Sequence, residues 1–477
     1  MKKIRKQAIL IILTLTFVLL LCGAASATSY SDIYISPTGN DSNDGNDINN
    51  PVQTIQRGIY MAEDNGTLHL ANGTYNKYID DSSRDYGIEI TKNLTIIGAN
   101  NEKTIIDAMG NSEIFDIPYN YNSTVLIKEI TFQNGRLSNS GGAISSDGTL
   151  TVENCIFKNN TAVDDGGGAL FTHTTLNVVN CIFTDNKADA GAAIFNKGGI
   201  LTVTGSIFSG NEASTSTKYY EGGGAIYLYG GPFQIVGNSF INNIGSAIKI
   251  ASKVVSIETI QEILHTNINI NRFTGNSPYA IYMESAETKD TESVSESAFS
   301  IVINATNNWW GSNSNPKSNL ANIGGDINRV LADPWLILTV FATPGSVPFG
   351  SNAHVFAKVT QNSNGEDTSS LGHIPDGTPI TITTDIGNVG SKSVIKYTIS
   401  GVATAILRAD DGFGIAHLYA ILDGFRTPVP AQVTIVQAAS AKSTEKTIGM
   451  LPTGLPLAGL ILGILALFGG FIAPRKK

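Results

Sequence analysis

Between residues 141 and 245, apolar residues alternate with polar ones in very short runs, each closed by Gly or Asn. The stretch GGAISSDGTLTVENCIFKNNTA (141–162) returns as GGALFTHTTLNVVNCIFTDNKA (167–188), with 12 of 22 positions identical. Looser copies follow at 191–213 and 223–245. In each copy Leu-x-Val or its equivalent marks one short strand, and Asn-Cys-Ile-Phe or its equivalent opens a second. Period-two alternation turns one face of each strand inward. Antiparallel hairpins use such strands too, but they do not bring the same side chains back in register. A chain that climbs one strand spacing per turn does, and this predicts an all-β fold built on a parallel β-helix.

Phenylalanines test the prediction. Phe132, Phe157, Phe183, Phe208, Phe240 and Phe273 are separated by 25, 26, 25, 32 and 33 residues. Stacked coil on coil, they form an internal aromatic column with neighbours about 4.8 Å apart. Three residues after each stand Gly135, Asn160, Asn186, Asn211, Asn243 and Asn276. Asn tolerates left-handed turn angles, and stacked Asn side chains hydrogen-bond from rung to rung. The two longer intervals mark insertions, at 214–220 and around 254–266.

Open solenoid ends invite strand pairing with other chains. Helical spacing over 53–64 predicts a plug for the first coil, and Trp309, Trp310 and Trp335 predict a hydrophobic cap near the last, with sugar stacking as the alternative. Cys155 and Cys181 share one repeat position, followed by Ser206 and Asn238. They are expected one above the other, either as buried thiols or, in an oxidising compartment, as a bridge. From 341 to 437 alternating strands between Gly, Asp and Pro turns fit a small β-sandwich.

The two ends of the chain change the setting. A basic start, an apolar run over 8–21 and Ala25-Ser26-Ala27 read as a signal peptide, residues 1–27. Residues 455–473 carry no charge and precede Arg475-Lys476-Lys477. This reads as one C-terminal transmembrane helix with a basic cytoplasmic tail, within 448–477, after a flexible stalk at 438–447. The domains expected are therefore the β-helix at 28–340, the sandwich at 341–437, the stalk and the anchor. The body lies on the extracellular face of the plasma membrane.

Net charge is −9, but seven of the 31 bases lie in the two targeting segments, which hold no acid. The remaining 24 bases against 40 acids give the body a net of −16. No basic face is available for nucleic acid. Asn-x-Ser/Thr sequons at Asn40, Asn65, Asn72, Asn93, Asn122, Asn159 and Asn304 are possible glycan acceptors in an exported chain.

Aligning the coils on Ala143, Ala169, Ala193 and Ala225 places Asn139, Asp165, Asp189 and Glu221 in one column. Unit charges roughly 5 Å apart repel by about 0.8 kcal/mol in water and about 3 kcal/mol at an effective dielectric of 20. Three stacked carboxylates therefore stay in open solvent, share a proton or hold a cation, for which Ca²⁺ is the natural oxygen-ligated choice. A catalytic pair among Asp165, Asp189 and Glu221 is the third reading. Lys218 is the one nearby base, and His173 stands alone at a turn. Tyr219, Tyr220, Tyr227 and Tyr229 cluster beside the first insertion, either as a glycan platform or as ordinary outward residues.

Residues 33–59, 66–75 and 94–108 resemble the opening coils of the pectin-lyase-like right-handed β-helix. The Gly-Gly-Ala-Ile…Asn-Cys-x-Phe-x-Asn-Asn units resemble repeats of polymorphic outer-membrane proteins. NNWWGSNSNP (307–316) and the order of segments are similar to adhesin-like surface proteins of methanogenic archaea. Residues 341–437 resemble an invasin-type Ig-like module, and MLPTGLPLAGL (450–460) is similar to archaeal C-terminal anchors. The resemblance implies a right-handed helix, an Ig-like sandwich, and adhesion to glycans or neighbouring cells. The same fold houses polysaccharide lyases and hydrolases, so an enzyme acting on acidic polysaccharide is the alternative, and a structural envelope protein the other.

Overall fold

The computed structural model describes residues 29–76, 87–214, 222–251, 267–283, 301–322 and 328–437. Residues 215–220 of the first insertion, the second insertion at 254–266 and the terminal targeting segments lie outside them. Among the described residues no helix is long and apolar enough to cross a membrane. Residues 455–473 lie outside the described residues.

From Tyr30 the chain coils upward through three parallel sheets, the first of 11 strands, the second of eight and the third of nine, with a four-stranded sheet at one corner. Register is strict. Ile33, Leu68, Ile96, Ile127, Val152, Val178, Val203, Ile235 and Ile268 are successive partners in the first sheet. All are fully buried. Phe132, Phe157, Phe183, Phe208, Phe240 and Phe273 form the corresponding column of the second sheet. Their ring centroids are 4.8–5.0 Å apart with planes within 2–9° of parallel. The spacing is that of the strands, so each ring lies flat on its neighbour.

The corners divide two tasks that the sequence assigned to one Asn column. Asn134, Asn159, Asp185, Gly210, Asn242 and Gly275 take left-handed φ of 51–66°. The residues that follow them, Asn160, Asn186, Asn211 and Asn243, turn inward and are fully buried. In this ladder each backbone N–H donates to the Asn Oδ1 of the next coil, at 2.8–3.1 Å from Gly135 through Asn243. Each Nδ2 of Asn160, Asn186, Asn211 and Asn243 donates to the next Oδ1 as well. The corner between first and second sheets repeats the device. Glu129, Asn154, Asn180, Gly205, Gly237 and Ile270 are left-handed there, and Cys155, Cys181, Ser206, Asn238 and Asn271 turn inward.

Cys155 and Cys181 are free and buried. The Cys155 N–H donates to Cys181 Sγ (3.4 Å), and each thiol bonds the carbonyl two residues earlier. Ser206 does the same with its hydroxyl. The two thiols are therefore rungs of the ladder.

The expected plug is a short helix, Ile55–Met61, capped by Thr54, whose hydroxyl accepts from the Arg57 N–H. It buries Ile55, Ile59 and Met61. At the other end strand alternation sends the adjacent tryptophans opposite ways. Trp310 stacks on Phe273 (4.9 Å, 12°) and closes the aromatic column. Trp309 enters the core of the second domain. Trp335 packs against the helix core and donates from Nε1 to the Asn313 carbonyl (3.0 Å).

That second domain is a β-sandwich. One antiparallel sheet holds Leu336–Thr343, Asn352–Asn362 and Val402–Arg408. The other includes Pro379–Thr384, Ser393–Tyr397, Gly414–Leu422 and Ala431–Val436. Ser346–Pro348 joins it in parallel at one edge. The sandwich takes its first strand from Leu336 rather than 341, because Leu336 and Leu338 alternate into its core.

The last coils and the sandwich are fastened by buried polar groups. Arg272, on the outer side of the second sheet, makes a bidentate ion pair with Asp423 at the left-handed turn after Gly414–Leu422. Trp309 Nε1 donates to the same carboxylate (2.8 Å). Nearby, Ile270 keeps φ 61° although it is β-branched. It is 1% exposed and lies against the sandwich loop at Gly372, so burial overrides the corner's preference for Asn or Gly.

Candidate functional site

Asp165 and Asp189 stack as the alignment required. The Asp189 N–H donates to the Asp165 carbonyl (3.0 Å), and the Gly222 N–H to the Asp189 carbonyl (3.1 Å). Asp165 Oδ2 accepts from the Ser140 hydroxyl (3.0 Å), while Oδ1 is enclosed without a hydrogen-bond partner. Glu221 and Lys218 fall outside the described residues. Among those residues no three His, Cys, Asp or Glu side chains converge as a metal set would.

Tyr219 and Tyr220 also lie outside the described residues. Tyr227 points outward from the third sheet, in one column with Asp116, Ser145, Phe171, Phe195, Lys249 and Tyr282. Yet it is 1% exposed. Phe195 meets it edge-on (5.0 Å, 86°) and Lys249 lies 5.4 Å from its ring centre. Its ring is thus enclosed by its neighbours rather than an open face. The Gly-rich turns pack over this column so closely that a Cβ at Gly166 would come within 1.9 Å of Phe195. Tyr229 is half-buried against the same group.

Of the sequons, Asn40, Asn65, Asn72, Asn122 and Asn159 are exposed. Asn93 and Asn304 are half-buried with engaged amides. Asn93 Oδ1 accepts from the Thr124 N–H (2.7 Å). Asn304 Nδ2 donates to Asn267 Oδ1 (3.1 Å).

Sequence reasoning missed an acidic group on the early coils. Glu89 and Asp116 are direct partners on neighbouring strands. Burial, reinforced by the charges of Glu89 and Asp147, pushes the Asp116 carboxyl up to about 6. Glu113 is 1% exposed, and its carboxyl accepts from the Gly87 N–H (3.2 Å). Burial, then the Asp116 charge, pushes it up to about 9. Register aligns Glu113 with the second Gly of the Gly-Gly-Ala turns, Gly142 in the next coil. This coil lies outside the clear repeats, so nothing in the pattern flagged it. His173 is not alone either: its Nδ1 lies 2.6 Å from Asp147 Oδ1, one coil away.

Residues 154–173 match the Chlamydia polymorphic membrane protein repeat. The match spans one corner-to-corner unit, from left-handed Asn154 through Cys155, Phe157 and Asn160 to the Gly-Gly-Gly-Ala turn. No curated protein and no solved structure matches the chain. The repeat and the stacked parallel sheets together make this a β-helical protein with a repeat of the polymorphic-membrane-protein type.

Proposed function

We propose that this is an adhesin-like surface protein that presents its β-helix to glycans or to neighbouring cells. It is held by one membrane-spanning segment at 455–473, with the stalk at 438–447 and an Ig-like sandwich as spacer. The observation that carries the reading is the joint. A β-helix bearing a membrane-protein repeat is fastened to a sandwich by Arg272, Trp309 and Asp423, which are nearly or fully buried. A buried, multiply bonded joint transmits load where an exposed linker would swing. The stacked Asp165 and Asp189 keep a role for Ca²⁺ open to the same test.

The full chain in detergent micelles would be applied to an array of neutral and acidic polysaccharides, with and without Ca²⁺. Retention without release of shorter saccharides is the expected result. Cleavage abolished by Asp189→Ala would establish a polysaccharide-degrading enzyme instead. Absence of retention on every surface would leave a structural envelope role.

A further inference from the structure

The first coil carries a cavity of about 540 Å³ that none of the candidate residues above line. Its size lies within the roughly 300–1,000 Å³ of small-ligand sites. The floor is an outward column of three partners on successive strands, Tyr34, His69 and Ile97. Tyr34 and His69 are stacked, with centroids 4.9 Å apart and planes 18° from parallel. Ile48, Asn49 and Pro51 form the facing wall.

The wall is built in advance. Asp41 accepts from the N–H groups of Gln53 and Thr54 and from the Thr54 hydroxyl, all at 2.8 Å. Asn43 Nδ2 donates to the Pro51 carbonyl (2.9 Å). Left-handed Gly45 lets its carbonyl accept from the Tyr34 N–H (2.7 Å). Against this fixed frame Ile48 is 70% exposed, an apolar rim residue with little to cover it.

The polar atoms left over are few. His69 Nε2 lies 2.9 Å from Asp32 Oδ1, so Nδ1 is the nitrogen left for a ligand. The Tyr34 hydroxyl and Asn49 Oδ1 likewise meet no partner among the described residues. Aromatic and aliphatic surface with a few dispersed hydrogen-bonding groups suits the C–H faces and hydroxyls of a sugar ring. No Lys or Arg is among the described residues that line the cavity, and the Asp32 carboxylate beside it is held by His69, so an anionic sugar would find no lysine or arginine to pair with.

We infer that this cavity binds an uncharged hexose unit of a glycan, with Tyr34, His69 and Ile48 supplying the apolar surface and Asn49 a hydrogen bond. The inference rests on the glycan-binding reading and gives that binding a location. The cavity lies on the first strands of the 11-stranded order, and the coils joined to the sandwich hold the last. It is therefore on the part of the β-helix farthest along that order from the joint.

The test uses the full chain in micelles and two arrays, one of uncharged hexose oligosaccharides and one of their uronate counterparts. Ile48→Asp and His69→Ala are the variants. Ile48 is largely exposed, so Ile48→Asp should fold with an unchanged melting temperature. Wild type is expected to bind at least one neutral oligosaccharide, and each variant about tenfold or more weakly. Glycan binding by wild type that both variants retain in full would overturn the location while leaving the general reading intact. Binding confined to uronates would overturn the assignment of a neutral sugar. No binding by wild type to either array would overturn location and general reading together.

Discussion

Arg272 and Asp423 lie 151 residues apart in sequence and meet as a bidentate ion pair, with side chains 9% and 5% exposed. Such a pair adds little net stability over apolar residues of the same shape, but removing one partner strands a buried charge. Asp423→Ala should destabilise by about 3–5 kcal/mol and also leave Trp309 Nε1 without its acceptor. Urea denaturation followed by tryptophan fluorescence checks this. The sandwich transition should separate from that of the β-helix, and Arg272→Met combined with Asp423→Leu should restore part of the loss. A single unshifted transition in Asp423→Ala would contradict the joint.

Asn211 is a middle rung of the buried ladder. Its Oδ1 accepts from the Asn186 N–H and Nδ2, and its own Nδ2 donates to the Phe183 carbonyl (3.1 Å). Asn211→Ala removes those partners within a closed core. Each stranded group costs roughly 1–3 kcal/mol, so a total of several kcal/mol is expected. The exposed Asn159→Ala, one position before a rung, should cost much less. Equal effects in chemical denaturation would remove the ladder from the account of stability.

Cys155 and Cys181 act as hydrogen-bonding rungs, and Ser206 shows a hydroxyl in the same place. The double change Cys155→Ser with Cys181→Ser should therefore cost less than about 1.5 kcal/mol. Cys181→Ala should cost more, because the Cys155 N–H loses its acceptor. Burial, with Cys181 as its neighbour, also raises the Cys155 thiol. Both should resist a thiol reagent until the chain unfolds, and rapid labelling of the native protein would count against the buried column.

Glu113 and Asp116 hold their protons more tightly when folded than their ordinary values of 4.5 and 3.8 allow. The stability this contributes is complete below those values. It is lost as pH rises through about 6 for Asp116 and then about 9 for Glu113. Glu113→Gln keeps the shape and cannot ionise. Its melting temperature should gain on wild type steadily from about pH 4.5 to about pH 9 and level off above. A difference that does not change with pH would mean that Glu113 is not buried as a neutral acid.

Much of the solenoid was legible beforehand because a coil's neighbour is one period away in sequence. The phenylalanine spacing located the aromatic column, and the aligned acids located the stacking of Asp165 on Asp189. The corners were legible only in part. Left-handed Asn159 and inward Asn160 are adjacent and chemically identical, so composition merges two columns that the backbone separates. Glu113 was invisible for the opposite reason: it replaces a Gly in a coil too divergent to align by eye. Tyr227 was judged by strand alternation, which tells inside from outside but not whether the outside is covered.

Residue order alone was enough to establish the climb of the chain and its buried columns, since each depends on local alternation repeated at a near-constant interval. The meeting of Arg272 with Asp423, the parting of Trp309 from Trp310, the enclosure of Tyr227 and the cavity beneath Ile48 required the folded molecule. In the first and the last of these, one segment is laid across the outside of another at a distance set by docking rather than by the repeat. Such contacts occur once, so they leave no periodic trace, and only the packed geometry decides which polar atoms find partners and which stay free for a ligand.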